Sequence, residues 1–462
     1  MPQYKRTINH LPCDLGDGLV LRQATVEDTE ALVAFNAKMH SDFGPDKPDE
    51  YVGAWTRDLL SGRHPTVKPE NFTIVEKTKS GEIISSMNLI SQTWAYAGIP
   101  FNVGRPELVA TRPEYRDKGL IRIQFEIIHQ WSTQRGEMLQ AITGIPYYYR
   151  LFEYEMAMNL DGGRIGYLSH VPVLDADQVE PYHIRPAGEA DISFITAVYQ
   201  HAASRYLAQC LRDQDTWRFE ILGHSEKSMN GREVCIIERG AGTDSTAQPE
   251  PVGFLAHPRI LWGEMMAVTC FELKEGVSWL DVTPSAIRYL KTSGDAYAAQ
   301  GKASEPGKTF QAFGLLLGEA HPAYEAIYNR LPHYHKPYAW FLRVPDLAGF
   351  LRHIAPVLEK RLADSLAVGH SGELKLSFYR KGLRLVFEQG RLAQVEDWHP
   401  TPFGHSGDAR FPALTFLQLL FGYRSLGELG AAFADCSVDN DMARALLNIL
   451  FPKQVSDVWP VS

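Results

Sequence analysis

The chain echoes itself. Leu21-Arg22-Gln23-Ala24, followed by Asp28, returns as Ile184-Arg185-Pro186-Ala187, followed by Asp191, an offset of 163 residues. Further along, Leu139-Gln140-Ala141 ahead of a Pro146-started aromatic stretch returns as Phe310-Gln311-Ala312. A stretch beginning at His321-Pro322 and carrying Tyr324 and Tyr328 follows that second copy. Two echoes in the same order imply an internal duplication. The chain has 462 residues, and at about 100–200 residues per domain three domains are expected. Two would be the copies, and a third follows them. The expected limits are 1–178, 179–342 and 343–462, with the polar connector Asp175 to Pro181 at the first junction. Gly240 to Pro251 and Gly301 to Lys308, rich in Gly, Ser, Thr and Pro, read as loops inside the second copy.

Local patterns fill in the class. Leu19-Val20-Leu21 is a short apolar strand, and Thr25 is the expected N-cap of a helix with Leu32, Val33, Phe35, Asn36 and Met39 on its inner face. Phe72 to Glu76 and Ile83 to Ser91 read as strands around a Lys79-Ser80-Gly81 turn. Val103 to Thr111 returns from a turn at Ala97-Gly98-Ile99-Pro100. Leu120, Ile123, Ile127, Ile128 and Trp131 have helical period, Met138 to Thr143 is a strand, and Pro146 is placed to start a helix. In the last third, Leu347 to Leu362 is amphipathic. Leu374 to Phe378 and Leu383 to Phe387 alternate around Lys381-Gly382, and Ala413 to Phe421, Leu426 to Ala432 and Met442 to Phe451 read as helices. The fold class is α/β to α+β: two tandem mixed-sheet domains, then an α+β module.

Composition narrows the function. Lys and Arg number 46 against 55 Asp and Glu, a net charge of −9. Nucleic-acid affinity comes mainly from basic residues neutralising phosphates, so a nucleic-acid partner is not expected. The five cysteines, Cys13, Cys210, Cys235, Cys270 and Cys436, are widely spaced and form no CxxC, which encodes neither a disulfide framework nor a zinc site. Met1 to His10 lacks a signal-peptide core, and no uncharged apolar run is long enough to span a membrane. A reduced, soluble, cytoplasmic protein is expected. Neither GxSxG nor HExxH occurs, so no activated serine or metal is announced.

The stretch Val109-Ala110-Thr111-Arg112-Pro113-Glu114-Tyr115-Arg116-Asp117-Lys118-Gly119-Leu120-Ile121 runs from a strand through a basic, glycine-containing turn into an apolar helix. Such a corner aims several backbone N–H groups and a positive helix end at one point, which suits a pyrophosphate. Gly119 lets the backbone come close, and Arg116 and Lys118 add charge at the rim.

This strand with R-x-x-G-x after it, and Tyr149 with Phe152 and Tyr154 about thirty residues on, resemble the GNAT acetyltransferase superfamily. The three-part layout is similar to the enhanced-intracellular-survival family of N-acetyltransferases: two GNAT-like domains and a sterol-carrier-like C-terminal domain. The resemblance implies that Arg116, Asp117, Lys118, Gly119, Leu120 and Ile121 hold the pyrophosphate of acetyl-CoA. Leu108, Val109, Ala110 and Thr111 would bind its pantetheine arm, and Tyr149 would stand near the thioester sulfur. It also implies that Ser462 carries a carboxylate acting as base, that the middle third is a scaffold without its own cofactor motif, and that the protein is a homo-oligomer. Ile121 stands where the superfamily most often has Gly or Ala, and Glu153 where it often has Gly. Tyr147 and Tyr148 are expected in the core.

The chemistry suits a tyrosine. When a neutral amine attacks an acetyl thioester, a hydroxyl aimed at the sulfur stabilises and protonates the leaving thiolate. Alignment of the two reactants supplies most of the acceleration, with no covalent enzyme intermediate and no metal. By resemblance, the acceptor wall falls on Asp42 to Glu50 and Trp94-Ala95-Tyr96. Asp42, Asp46, Trp94 and Tyr96 would suit a cationic, partly apolar amine, whether a small molecule or a peptide side chain. The expected function is an acetyl-CoA-dependent N-acetyltransferase. The alternative is a non-catalytic protein binding an apolar ligand between the Leu374–Phe387 hairpin and the Phe411–Phe421 helix.

Overall fold

The computed structural model describes residues 10–44, 46–240, 249–304, 307–401 and 407–462. Most of the Met1–His10 start, and parts of the Gly240–Pro251 and Gly301–Lys308 loops, lie outside those residues.

The first unit contributes β1 (Cys13–Gly16), β2 (Leu19–Gln23), α1 (Thr29–Met39), α2 (Glu50–Leu60), β3 (Phe72–Lys77), β4 (Ile83–Tyr96), β5 (Ile99–Thr111), α3 (Leu120–Gln134), β6 (Leu139–Ile142) and β7 (Glu155–Leu160). Then come β8 (Gly163–Tyr167), β9 (Tyr182–Pro186), α4 (Ile192–Ala202), β10 (Ala208–Leu211), α5 (Gln214–Arg218), β11 (Arg232–Arg239), β12 (Glu250–Pro258), β13 (Met265–Val268) and β14 (Cys270–Leu273). The second unit closes with α6 (Trp279–Ala299), β15 (Ala312–Leu315), α7 (Pro322–Ala326), β16 (His333–His335) and β17 (Tyr338–Arg343).

The strand orders reveal how the first and second units interlock. The first sheet runs β1-β2-β3-β4-β5-β6-β17-β7, with β10 added beside β4. The second unit shows β14-β12-β11-β9 and β13-β15-β8-β16, with β13 and β14 separated only at Thr269. The fifth strand lies parallel to the sixth in the first sheet, as β13 does to β15 in the second. The next strand is antiparallel in both, and in both it comes from the other unit: β17 enters the first sheet and β8 the second. The exchange crosses the limits expected at 178 and 342. β17 buries Ala339 and Phe341 with Phe125 and Tyr149 of the first unit, and Trp340 and Leu342 with Trp94 and the last unit.

The echoed residues turn out to form a buttress. Arg22 donates to both carboxylate oxygens of Asp28 at 2.7 and 2.8 Å and to Glu76 at 2.9 and 2.6 Å. Arg185 does the same with Asp191 at 2.8 and 2.9 Å and with Glu238 at 2.9 Å. Planar guanidinium forks matched to carboxylates fix the first helical turn against the sheet in both copies.

Three local expectations change. Thr25 precedes a single 3-10 turn, Val26–Asp28, and α1 begins only at Thr29. No α-helix starts at Pro146: Tyr147 is left-handed (φ 66°), and only a 3-10 turn, Tyr148–Phe152, follows. The amphipathic Leu347–Leu362 run splits into α8 (Leu347–His353) and α9 (Ala355–Ala363), because Pro356 in the first turn of α9 cannot donate back to α8.

The last unit pairs β18 (Gly372–Ser377), β19 (Gly382–Glu388) and β20 (Arg391–Trp398), extended by β21 (Ala409–Arg410) and β22 (Ser437–Val438). With α10 (Phe416–Leu420), α11 (Leu426–Ala432) and α12 (Asp441–Leu450), it buries Leu374, Leu376, Leu385, Phe387, Phe416 and Phe421. These side chains share one apolar cluster with Trp94, Tyr96, Phe101 and Trp340 of the first sheet. Among the described residues, no helix is long and apolar enough to cross a membrane.

Candidate active site

The β4–β5 pair explains why a cavity opens where it does. Ser86 faces Ala110 but Asn88 faces Glu107, so β5 carries a bulge, with Leu108 buried and left-handed at φ 51°. The parallel ladder to β6 covers only Val103 and Gly104. Beyond the bulge the edge of β5 from Glu107 to Thr111 has no strand beside it on that side. A cavity of about 770 Å³ lies there, lined by Val109, Ala110 and Thr111.

Its opposite wall is the turn into α3. Asp117 (φ 62°) and Gly119 (φ 83°) are both left-handed and bend the chain into a concave run. Gly119 is the N-cap and contributes no side-chain cap, so the first N–H groups of a fifteen-residue helix point outward without intrahelical partners. Arg116, Asp117, Gly119, Leu120 and Ile121 all line the cavity. Ile121 does not plug it, because it also packs against the Met87–Phe125 cluster. Lys118 stands at the rim with its ammonium 4.6 Å from the Tyr115 ring centre.

Tyr149 does not line this cavity itself; Tyr148 and Phe152 of the same turn do. Tyr149 is buried, packed edge-on to Phe125 and Phe341, with its hydroxyl 3.5 Å from the position a Cβ would take on Gly144. Burial, and then the charge of Glu107, push its pKa well above the ordinary phenol value, so it holds its proton. Glu107 pairs with Arg105 at 2.7 Å. Arg105, itself buried, donates to the Val461 carbonyl at 3.1 Å and the Ser462 hydroxyl at 2.7 Å. The last residues of the sequence therefore run into the first unit, on the Glu107 side of Tyr149.

Other expected residues fall elsewhere. Asp42 and Asp46 are exposed on the loop after α1. Trp94 and Tyr96 form no acceptor wall: both are fully buried, Trp94 donating to Gln92 and Tyr96 to the Leu420 carbonyl at 2.7 Å. They are the seam between the first and last units. Tyr147 is exposed, not core, whereas Tyr148 is half-buried, packing against the Met87–Phe125 cluster while also lining the cavity. Sequence reasoning missed Met39, His40, Arg122, Ile145 and Leu151, all of which line the cavity. Burial lowers the His40 pKa, which keeps the imidazole neutral. A basic residue straight after the glycine turn was a legible signal for Arg122; His40, at a helix end, gave none.

Residues 21–157 match the family model described as the acetyltransferase (GNAT) domain. That match covers most of the first unit and stops short of the second and the last. No curated protein matches the sequence. Among solved structures, the chain is similar to a GCN5-related N-acetyltransferase from Kribbella flavida at 16% identity, covering 95% of this chain and 97% of that one with a TM-score of 0.61. A probable N-acyltransferase from Enterococcus faecalis matches at 14% identity over 95% and 97%, with a TM-score of 0.63. Eis1 from Mycobacterium abscessus matches at 12% identity over 95% and 99%, with a TM-score of 0.56. At these identities the likeness is one of fold, and it extends over nearly the whole length of each chain. Among the described residues, no cluster of three His, Cys, Asp or Glu could hold a metal ion.

Proposed function

We propose that the protein is an acetyl-CoA-dependent N-acetyltransferase that transfers an acetyl group to a primary amine by direct attack, with Tyr149 as general acid. The observation that carries the reading is the open β5 edge and the uncapped α3 N-terminus facing each other across one cavity. That pair of features fits a ligand with an amide-bearing arm and a diphosphate. Val109, Ala110 and Thr111 would hydrogen-bond the arm, and the amides from Gly119 to Arg122 would hold the diphosphate. When bound, acetyl-CoA supplies the activated acetyl thioester.

The chain's own residues supply the rest. Tyr149 keeps its proton at Oη through the neutral pH range and can give it to the departing sulfur. Ser462, with Arg105 beside it, takes the role of proton acceptor through a carboxylate on its side of the site. The exposed acids Asp42 and Asp46 would draw a cationic amine toward the opening. The second unit serves as scaffold and the last as an α+β brace of sterol-carrier type. An apolar-ligand carrier is the weaker reading, because the inward side chains of β18 and β19 share one buried cluster with α10 and the first sheet.

Mixing the protein with acetyl-CoA and a panel of primary amines should release free thiol. No release with any amine, together with no heat of CoA binding in calorimetry, would overturn the reading.

A further inference from the structure

We propose that β17, the strand lent by the second unit, positions Tyr149, and that Arg343 and Tyr338 are the positioning residues acting through Glu153 and Gly144. The inference rests on the reading of Tyr149 as general acid and deepens it: the active site of the first unit is completed by the second.

The tyrosine segment is held at both ends. At its far end Glu153 is left-handed (φ 68°), a conformation that favours glycine. Its carboxylate accepts from Arg343 Nη2 at 3.0 Å and Nε at 3.3 Å. The same guanidinium donates to Gln140 Oε1 at 2.8 Å, and Gln140 donates to Ser132 at 2.8 Å, so Arg343 is pinned against β6 and α3. At the near end the Tyr338 hydroxyl donates to the Gly144 carbonyl, and Thr143 Oγ1 donates to the Ala339 carbonyl at 3.1 Å. Between these ends the Phe341 ring lies 5.9 Å from the Tyr149 ring at 61°.

Tyr149 itself makes no hydrogen bond through its hydroxyl among the described residues. Its place is therefore set by the chain on either side and by the rings packed on it, and β17 takes part at both ends and through Phe341, with Phe125 of α3 on the ring as well. A charged residue at a left-handed position, paired with the lent strand, accounts for Glu153 standing where glycine is usual. The ion pair replaces backbone freedom with an external hold.

The test uses the full chain. Arg343→Gln should lower kcat about tenfold while leaving KM for acetyl-CoA, calorimetric CoA affinity and Tm unchanged, since a small misplacement of a catalytic group costs rate rather than binding. Tyr338→Phe, an isosteric change, should act in the same direction and serves if Arg343→Gln does not fold. Added to Tyr149→Phe, either substitution should cost nothing more, and Arg343→Lys should restore part of the rate. A loss that adds in full to that of Tyr149→Phe, or a fall in Tm with kcat intact, overturns the proposal. If Tyr149→Phe alone leaves kcat unchanged, the acid reading itself has failed and this proposal falls with it. That result is distinct from an active-site tyrosine insensitive to Arg343.

Discussion

The first and second units share an arginine buttress, yet they treat a tyrosine that follows a glycine in opposite ways. In the first unit, Gly144 is followed by Tyr149, whose hydroxyl has no hydrogen-bond partner among the described residues. In the second, Gly318 is followed by Tyr324, whose hydroxyl donates to the Gly318 carbonyl at 2.8 Å and accepts from the Leu317 amide at 3.1 Å. The turn into the long helix differs in the same sense. Gly119 leaves the start of α3 bare, whereas α6 begins at Trp279, whose ring stacks edge-on to Phe271 and His321 at 5.0 and 4.9 Å. A tyrosine beside a glycine is thus not a catalytic signature by itself. What decides is whether backbone partners have already claimed the hydroxyl and whether a side chain has filled the helix end.

The sharpest way to break this contrast is at the two turns. Gly119→Val forces a β-branched residue into a left-handed position at the cavity wall. It should weaken CoA binding by at least about tenfold and lower kcat/KM about a hundredfold, read by calorimetry and thiol release. Gly276, also left-handed (φ 81°) and ahead of α6, has open space around it. Gly276→Val should cost about 1–2 kcal/mol of stability and leave CoA affinity alone. Equal effects on binding would mean that the second turn also takes a ligand.

The tyrosines come next. Tyr149→Phe should lower kcat about a hundredfold with Tm nearly unchanged, the usual size of a general-acid contribution. Tyr324→Phe should do the reverse. It strands a buried amide and carbonyl, costing about 1–3 kcal/mol in thermal unfolding, with turnover intact. If Tyr149→Phe instead abolishes CoA binding, its role is structural support of the cavity.

Much of this contrast was legible in the sequence. The echo was readable because Arg22, Asp28, Arg185 and Asp191 do one structural job that tolerates few substitutes. The turn ahead of α3 was readable because a glycine at a left-handed N-cap leaves the helix end bare. The exchange of β8 and β17 was not, because Tyr338–Arg343 alternates as any strand would and carries no mark of its partner. Trp94 and Tyr96 misled for a related reason: an aromatic on a hairpin looks the same whether it faces a ligand or the last unit's Phe421 and Phe350. Tyr147 misled because helical spacing says nothing about a left-handed residue that stops the helix before it starts.

The smallest effect concerns how the tail meets the two units. At the first it offers Arg105 a carbonyl and a hydroxyl, neither of which titrates near neutrality. At the second it inserts a carboxylate, with Asp457 Oδ1 3.7 Å from where a Cβ of Gly318 would lie. Burial, then Glu272 and Asp161, push the Asp457 pKa up to about 7, against a partial offset from Arg205. The native state therefore binds a proton that the unfolded state has lost between about pH 4 and 7, and stability falls as pH rises through that window, levelling above it. Asp457→Asn removes the slope. Its Tm should match the parent near pH 4 and exceed it at pH 8, by a free energy on the order of a few kcal/mol at most. A difference that stays flat across that range would mean the carboxylate is solvated, and that the tail docks on both units by neutral contacts alone.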